Sequence, residues 1–316
     1  MTPLEFEAAH GAAWGELESL LTKPPHELEP QRFLALYRAS CEHLALAQAR
    51  GFPDPVIERL SRLTATAHQI VYRQSDVGVA RVIAALLVRF PARVRQDRRY
   101  VAVAALLLMG PALVFGVAVQ AHPELLYSVV KPAVAATFEQ MYGPSGQAIG
   151  RIRGAGSDWE MFGYYVENNI GIAFQCYVTG IACGIGSVLF LCFNGLLIGG
   201  VAGFVAARGY GGAFFPFIAT HSAFELSAIV LSGAAGLRLG HAVIAPGRRA
   251  RVTALQSAAR ETSLIVAGAA AMLVVAAALE AFWSSAPWVA PAAKYAFAAF
   301  CWILVTLFFV RPLHAD

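Results

Sequence analysis

The sequence predicts an all-α, polytopic membrane protein of about six transmembrane helices with an N-terminal cytoplasmic helical module. Composition supports the first part: 58% of the 316 residues are hydrophobic and only 14% are charged, against roughly a quarter charged in soluble domains. The charges also crowd before Tyr100, and beyond it apolar runs of membrane length recur. The net charge of +4 is modest, and its placement speaks for topology at a cytoplasmic membrane surface, with no need for nucleic acid.

Residues 1–95 read as the cytoplasmic module. Phe6, Trp14, Leu17, Leu20 and Leu21 fall on one helical stripe that stops at Pro24–Pro25. A second helix runs from Pro30 to Gly51 through Phe33, Leu34, Tyr37, Cys41, Leu44 and Leu46. A third follows Pro53-Asp54-Pro55 and carries Val56, Ile57, Leu60, Leu63, Ala67, Ile70 and Val71. The N-terminus lacks a basic start followed by an apolar core, so no signal peptide is expected and the N-terminus is expected to stay cytoplasmic. The module closes on VARVIAALLVRFPARVRQDRRY, whose apolar residues are flanked by Arg81, Arg89, Arg93, Arg95, Arg98 and Arg99. Two readings stand: a helix lying on an anionic inner leaflet, or an extension of the first spanning helix.

The transmembrane domain takes residues 96–316. Spans are expected at Val101–Val119, with a kink at Gly110–Pro111, at Phe214–Ser232, at Ser263–Ala281 and at Pro291–Val310. Residues 122–169 form an extracytoplasmic amphipathic segment, with one helix at Leu125–Met141 and a break at the GPSGQ turn. Ile170–Ala207 is too long for one crossing, and Asn194–Gly195 is the natural turn between two spans or the centre of a broken helix. The two strongest basic regions are the cluster before the first span and GRRARVTALQSAAR at 247–260. Both belong in the cytoplasm. Six crossings satisfy that rule, leave WSSAPW outside with Trp283 and Trp288, and return the RPLHAD tail inside.

His221 and Glu225 are the most informative residues. Ionisable groups at membrane depth cost several kcal/mol unless paired or watered, and the four-residue spacing puts both on one helix face. Asn168, Asn169, Gln175, Asn194 and Ser227 are further polar residues in the apolar region. Together they suit interhelical glue, a ligand or ion site, or catalysis. His-xxx-Glu alone signals zinc weakly. Catalytic zinc wants three protein ligands and a base, and no second histidine or acidic cluster is evident at membrane depth, so neither metal nor cofactor is expected. His241 reads as an interfacial or capping residue. The five cysteines form no CxxC pair and no metal spacing with histidine. Gly180, Gly184, Gly195, Gly199 and Gly203, with Gly233, Gly236 and Gly240, make small-xxx-small seams that let membrane helices approach closely.

From Asn168 to Ser285, ENNIGIAFQCYVTGIACGIGS, LCFNGLLIGGVAGFVAARG and above all FIATHSAFELSAIVLSGAAGLRLG followed by APGRRAR resemble the stage II sporulation protein M family. The N-terminal WGELESLL, LALYRASCEHLALAQAR and RLTATAHQIVYR are similar to that family's cytoplasmic module. Where many relatives have proline before the histidine, this chain has Thr220. The family's polar signature falls on Asn168, Asn169, Asn194, His221, Glu225, Gly233, Gly236 and Gly240. The resemblance implies a multi-pass protein of the bacterial cytoplasmic (inner) membrane that organises a cell-envelope complex, since the family's namesake is a scaffold for peptidoglycan-degrading partners. The expectation is therefore a non-enzymatic scaffold with both termini cytoplasmic. Its partners are membrane lipid, other envelope membrane proteins and a second copy in a homodimer. The alternative is a transporter or channel lined by His221 and Glu225. An intramembrane hydrolase comes third for want of ligands.

Overall fold

The computed structural model describes residues 2–22, 29–71, 79–143, 155–286 and 288–311. The Pro24–Pro25 break, the GPSGQ turn beyond Gly143, Arg151 and Arg153, the side chain of Arg81 and the last five residues of the RPLHAD tail lie outside the described residues. Those that are described form helices joined by turns, with no strand among them. The chain divides into two compact units, 1–80 and 81–316.

The first unit packs α1 (Pro3–Leu21), α2 (Pro30–Ala49) and α3 (Asp54–Val71) against one another. Helix α1 starts on a capping box: the Thr2 hydroxyl accepts from the Glu5 amide, and the Glu5 carboxylate accepts from the Thr2 amide. Phe6, Trp14 and Leu17 from α1 meet Phe33, Leu36 and Ala47 from α2 and Val56, Leu60, Leu63 and Ala67 from α3. On α2 the core line runs through Phe33, Leu36, Ser40 and Ala47, so Leu46, expected inside, is exposed instead. Trp14 Nε1 donates to His43 Nδ1 at 3.0 Å. Indole has only that donor, so the ring nitrogen must be unprotonated. Burial, with the His10 ring alongside, holds the His43 pKa below the ordinary imidazole value of 6.5. The unfolded chain then takes up a proton near pH 6.5 that the folded unit refuses, and stability falls as the pH drops through that value. The carboxylates of Glu16 and Glu18, held low by Arg32 and Arg59, titrate below this window. Amide exchange across α1 and α2 is expected to lose protection between pH 7 and pH 5, and His43→Gln should flatten that dependence.

The second unit begins at residue 81, within α4 (Val79–Ala84), and continues through a π-helical turn (Ala85–Arg89) and α5 (Phe90–Gln96). The chain breaks at Asp97 before α6 (Arg98–Ala121) begins, so the basic segment is a separate helix and not an extension of the first span. It also belongs to this unit and not to the N-terminal module, because Phe90 packs on Gly268, Phe308 and Phe309, and Arg93 pairs with Glu261 at 2.7 Å. A 3₁₀ turn (Pro123–Ser128) and α7 (Pro132–Tyr142) follow. The single helix expected at Leu125–Met141 is thus split, at residues 129–131, into a 3₁₀ turn and α7. Then come α8 (Ala155–Val178), α9 (Ile185–Ala207), α10 (Gly211–Ile244), α11 (Arg251–Ala278), continued by a π-helical turn at Leu279–Ser284, and α12 (Pro291–Val310).

Five of these helices are long and apolar enough to cross a membrane: α6, α9, α10, α11 with its π-turn, and α12. Helix α8 has the length but carries Asp158, Glu160, Glu167 and two asparagines. The break expected at Asn194–Gly195 falls instead at Thr179–Gly184, where Cys183 and Gly184 take left-handed backbone angles (φ 54° and 81°). Asn194 and Gly195 sit inside α9, because a hydrogen atom at position 195 is what lets the Leu108 carbonyl of α6 come close.

That contact belongs to a seam. A side chain on Gly195, Gly199 or Gly203 would run into the carbonyl oxygen of Leu108, Ala112 or Gly116 respectively. Both sets step by four residues in the same order, so α6 and α9 run parallel. A second seam joins α8 and the 179–184 break to α10: Gly180 meets the Gly236 backbone, Gly240 meets Gly184, and Gly233 faces Leu191 of α9. Directions follow for the rest. Arg238 pairs with Glu261 while Thr220 meets Ser284, so α10 and α11 are antiparallel. Tyr177 bonds Thr262 while Trp159 meets Phe282 edge to face, so α8 and α11 are antiparallel too. Lys294, early in α12, bonds the Ser284 carbonyl, and Phe308, late in α12, packs on Phe90. In chain order α6, α8, α9, α10, α11 and α12 alternate in direction.

Candidate functional site

Helix α10 presents His221 and Glu225 one turn apart, with His221 Nε2 3.6 Å from a Glu225 oxygen. The π-turn at the end of α11 brings Glu280 beside them. One ligand-capable atom from each of His221, Glu225 and Glu280 lies within 4.8 Å of the other two. The acidic partner not evident in the sequence is therefore present. The signal for Glu280 was a lone glutamate in the apolar run AAALEAF, at the end of an expected span.

Ser284, one turn beyond Glu280, organises the edge of this cluster. Its hydroxyl donates to the Leu279 carbonyl at 3.0 Å, stands 3.1 Å from His221 Nδ1, and meets the Thr220 hydroxyl. With that proton given to Leu279, Ser284 accepts from Nδ1–H, and the tautomer leaves the lone pair of Nε2 toward the carboxylates. Lys294 is buried nearby but donates to the Ser284 carbonyl at 2.7 Å. His221 is itself only 5% exposed.

The other polar residues read from the sequence do not all converge here. Asn194 donates to the Phe190 carbonyl of its own helix. Gln175 and Asn168 are exposed, and Asn168 donates to Asn169 Oδ1 at 2.9 Å. Ser227 lines a separate cavity with Val101, Met109 and Trp302. Asn169 is buried, and its Nδ2 has no hydrogen-bond partner among the described residues. Gly180 abuts Gly236 on the parallel helix, and eleven residues back from each lie Asn169 and Glu225, which sets Asn169 at about the level of the cluster.

A second polar assembly lies at the opposite end of α10 and went unremarked in the sequence. Arg238 pairs with Asp97 and Glu261, and Arg93 pairs with the same two, at 3.1 Å and 2.7 Å. His241 bonds the Tyr100 hydroxyl beside it, which fits its expected place near the helix end.

The model of the stage II sporulation protein M family matches residues 104–285, more than half of the chain. The chain belongs to that family. The stage II sporulation protein M match runs from α6 to the π-turn, so it includes both glycine seams and His221, Glu225 and Glu280, and stops short of α12. The N-terminal helices, likened above to the same family, match a separate model over residues 4–73, described as a domain of unknown function (DUF8413). No curated protein and no solved structure matches the chain. As a stage II sporulation protein M family member with five apolar spanning-length helices, it is a multi-pass membrane protein.

Proposed function

We propose that this protein is a non-enzymatic scaffold of the cytoplasmic membrane, which couples a cytoplasmic helical module to a rigid membrane body and gathers envelope proteins around it. The observation that carries the reading is the pairing of two separately compact units, one with a soluble-type core and one locked by backbone-to-backbone glycine contacts. Helix α8 supplies a sixth crossing in this reading. Because α6 and α9 run parallel, the chain has to return between them, and α8 is the helix that does so. The arginines of 247–251 and those before α6 then lie on one side with both termini. The glycine seams are filled by the chain's own helices, so a homodimer uses other faces.

The test is a crosslinked affinity purification from native membranes of the whole protein and of a variant lacking residues 1–80. Recovery of a reproducible set of envelope proteins is expected from the whole chain, with loss from the shortened one. Recovery of the protein alone from both sinks the scaffold. A second reading, a path for an ion or small solute, draws on the three ionisable groups at one end of α10. It requires flux that Glu225→Gln abolishes in folded protein.

A further inference from the structure

We propose that His221, Glu225 and Glu280 bind a divalent transition-metal cation of zinc's size, which ties α10 to the π-turn that ends α11. The argument rests on which atoms converge. With Ser284 accepting from His221 Nδ1–H, the atoms that face one another are a nitrogen lone pair and carboxylate oxygens, within 4.8 Å of one another. His221 Nε2 and its nearest Glu225 oxygen stand 3.6 Å apart, beyond hydrogen-bond distance. Ligand atoms arranged tetrahedrally at zinc bond lengths stand about 3.3–3.5 Å apart. Small side-chain rotations close the cluster to that spacing.

Charge selects the valence. A neutral imidazole and two carboxylates carry a formal charge of −2, which a divalent cation brings to zero, whereas a monovalent one leaves an excess buried in an apolar bundle. Lys294, a buried cationic side chain nearby, is engaged with the Ser284 carbonyl. Mixed imidazole and carboxylate donors suit zinc and its first-row neighbours.

Three further features fit a built site. Glu280 and Ser284, four residues apart, share one face of the π-helical turn at Leu279–Ser284, the kind of local helix widening that recurs at functional positions. Ser284, which orients the histidine, takes the outer-sphere acceptor place that a carboxylate, carbonyl or water commonly fills for metal-bound imidazoles. At the level of the cluster on α8, the buried and unpartnered Asn169 Nδ2 is a donor suited to a metal-held water or a carboxylate oxygen.

The test uses the full chain in detergent, purified through a tag without histidine. Wild-type protein is stripped with a chelator, incubated with excess Zn²⁺ or Mn²⁺ and desalted, and retained metal is counted by elemental analysis beside a thermal melt. About one ion per chain and a raised melting temperature are expected. Glu280→Gln and His221→Gln, eluting as monodisperse protein, are expected to lose at least about tenfold in affinity. A wild type that retains no stoichiometric metal and melts unchanged overturns the site. So does a folded Glu280→Gln that binds metal as wild type does. If the variants do not fold, the wild-type count alone decides.

Discussion

Gly199→Leu is expected to prevent recovery of folded protein, and even Gly199→Ala to destabilise it by about 2–3 kcal/mol. The added Cβ would meet the Ala112 carbonyl oxygen, and its neighbours along the seam, Gly195 and Gly203, face carbonyls in the same way. A clashing side chain can change rotamer. A carbonyl in the middle of a helix can retreat only if the two helices part. Parting them loses packing along the most extensive helix pair in the unit, and apolar lipid offers little compensation beyond the contacts themselves. Gly171 of α8 provides the contrast. Nothing lies within 4 Å of a Cβ placed there, so Gly171→Ala should be neutral or gain about 0.5–1 kcal/mol from helix propensity. Detergent-phase unfolding of the variants measures both, and equal effects at Gly171 and Gly199 would contradict the seam.

Arg238→Met is expected to cost about 1–3 kcal/mol, between the values for exposed and fully buried pairs, because Arg238 and Glu261 are 24% and 38% exposed. Arg238 and Arg93 each touch both Asp97 and Glu261, so two cations and two anions close an alternating set of four. Asp97 is 2% exposed, and losing Arg238 leaves an anion in excess where water is scarce. Adding Asp97→Asn restores the balance. The double variant should therefore be more stable than the sum of the singles implies, by more than about 1 kcal/mol. Strict additivity would mean that the set is solvated and contributes little.

Much of this arrangement was legible from apolar length and arginine bias, because both act over whole segments. The five apolar helices of spanning length follow from the hydrophobic runs without any knowledge of packing, whereas α8, with Asp158, Glu160 and Glu167, does not announce itself that way. Local punctuation was harder to read. Asn194–Gly195 looks like a turn to a chain in water, but beside α6 the same glycine is a point of contact. The break lies where Cys183, a residue type with no turn preference, takes a left-handed backbone angle. The His221–Glu225 pair was visible because both residues share one helix. Glu280 joins them from 55 residues further along the chain, through an antiparallel pairing and a π-turn that no period in the sequence records.

The parallel pairing of α6 with α9 also has a temporal side. Its partners stand 87 residues apart, from Ala112 to Gly199. At about 5–20 residues per second, a ribosome needs roughly 4–17 s to make that stretch. For those seconds the groove formed by Ala112 and Gly116 lacks the helix that fills it, and α8 is synthesised before that helix is. Anything small enough to occupy the groove competes with α9 in that interval, and the window closes when Gly203 arrives.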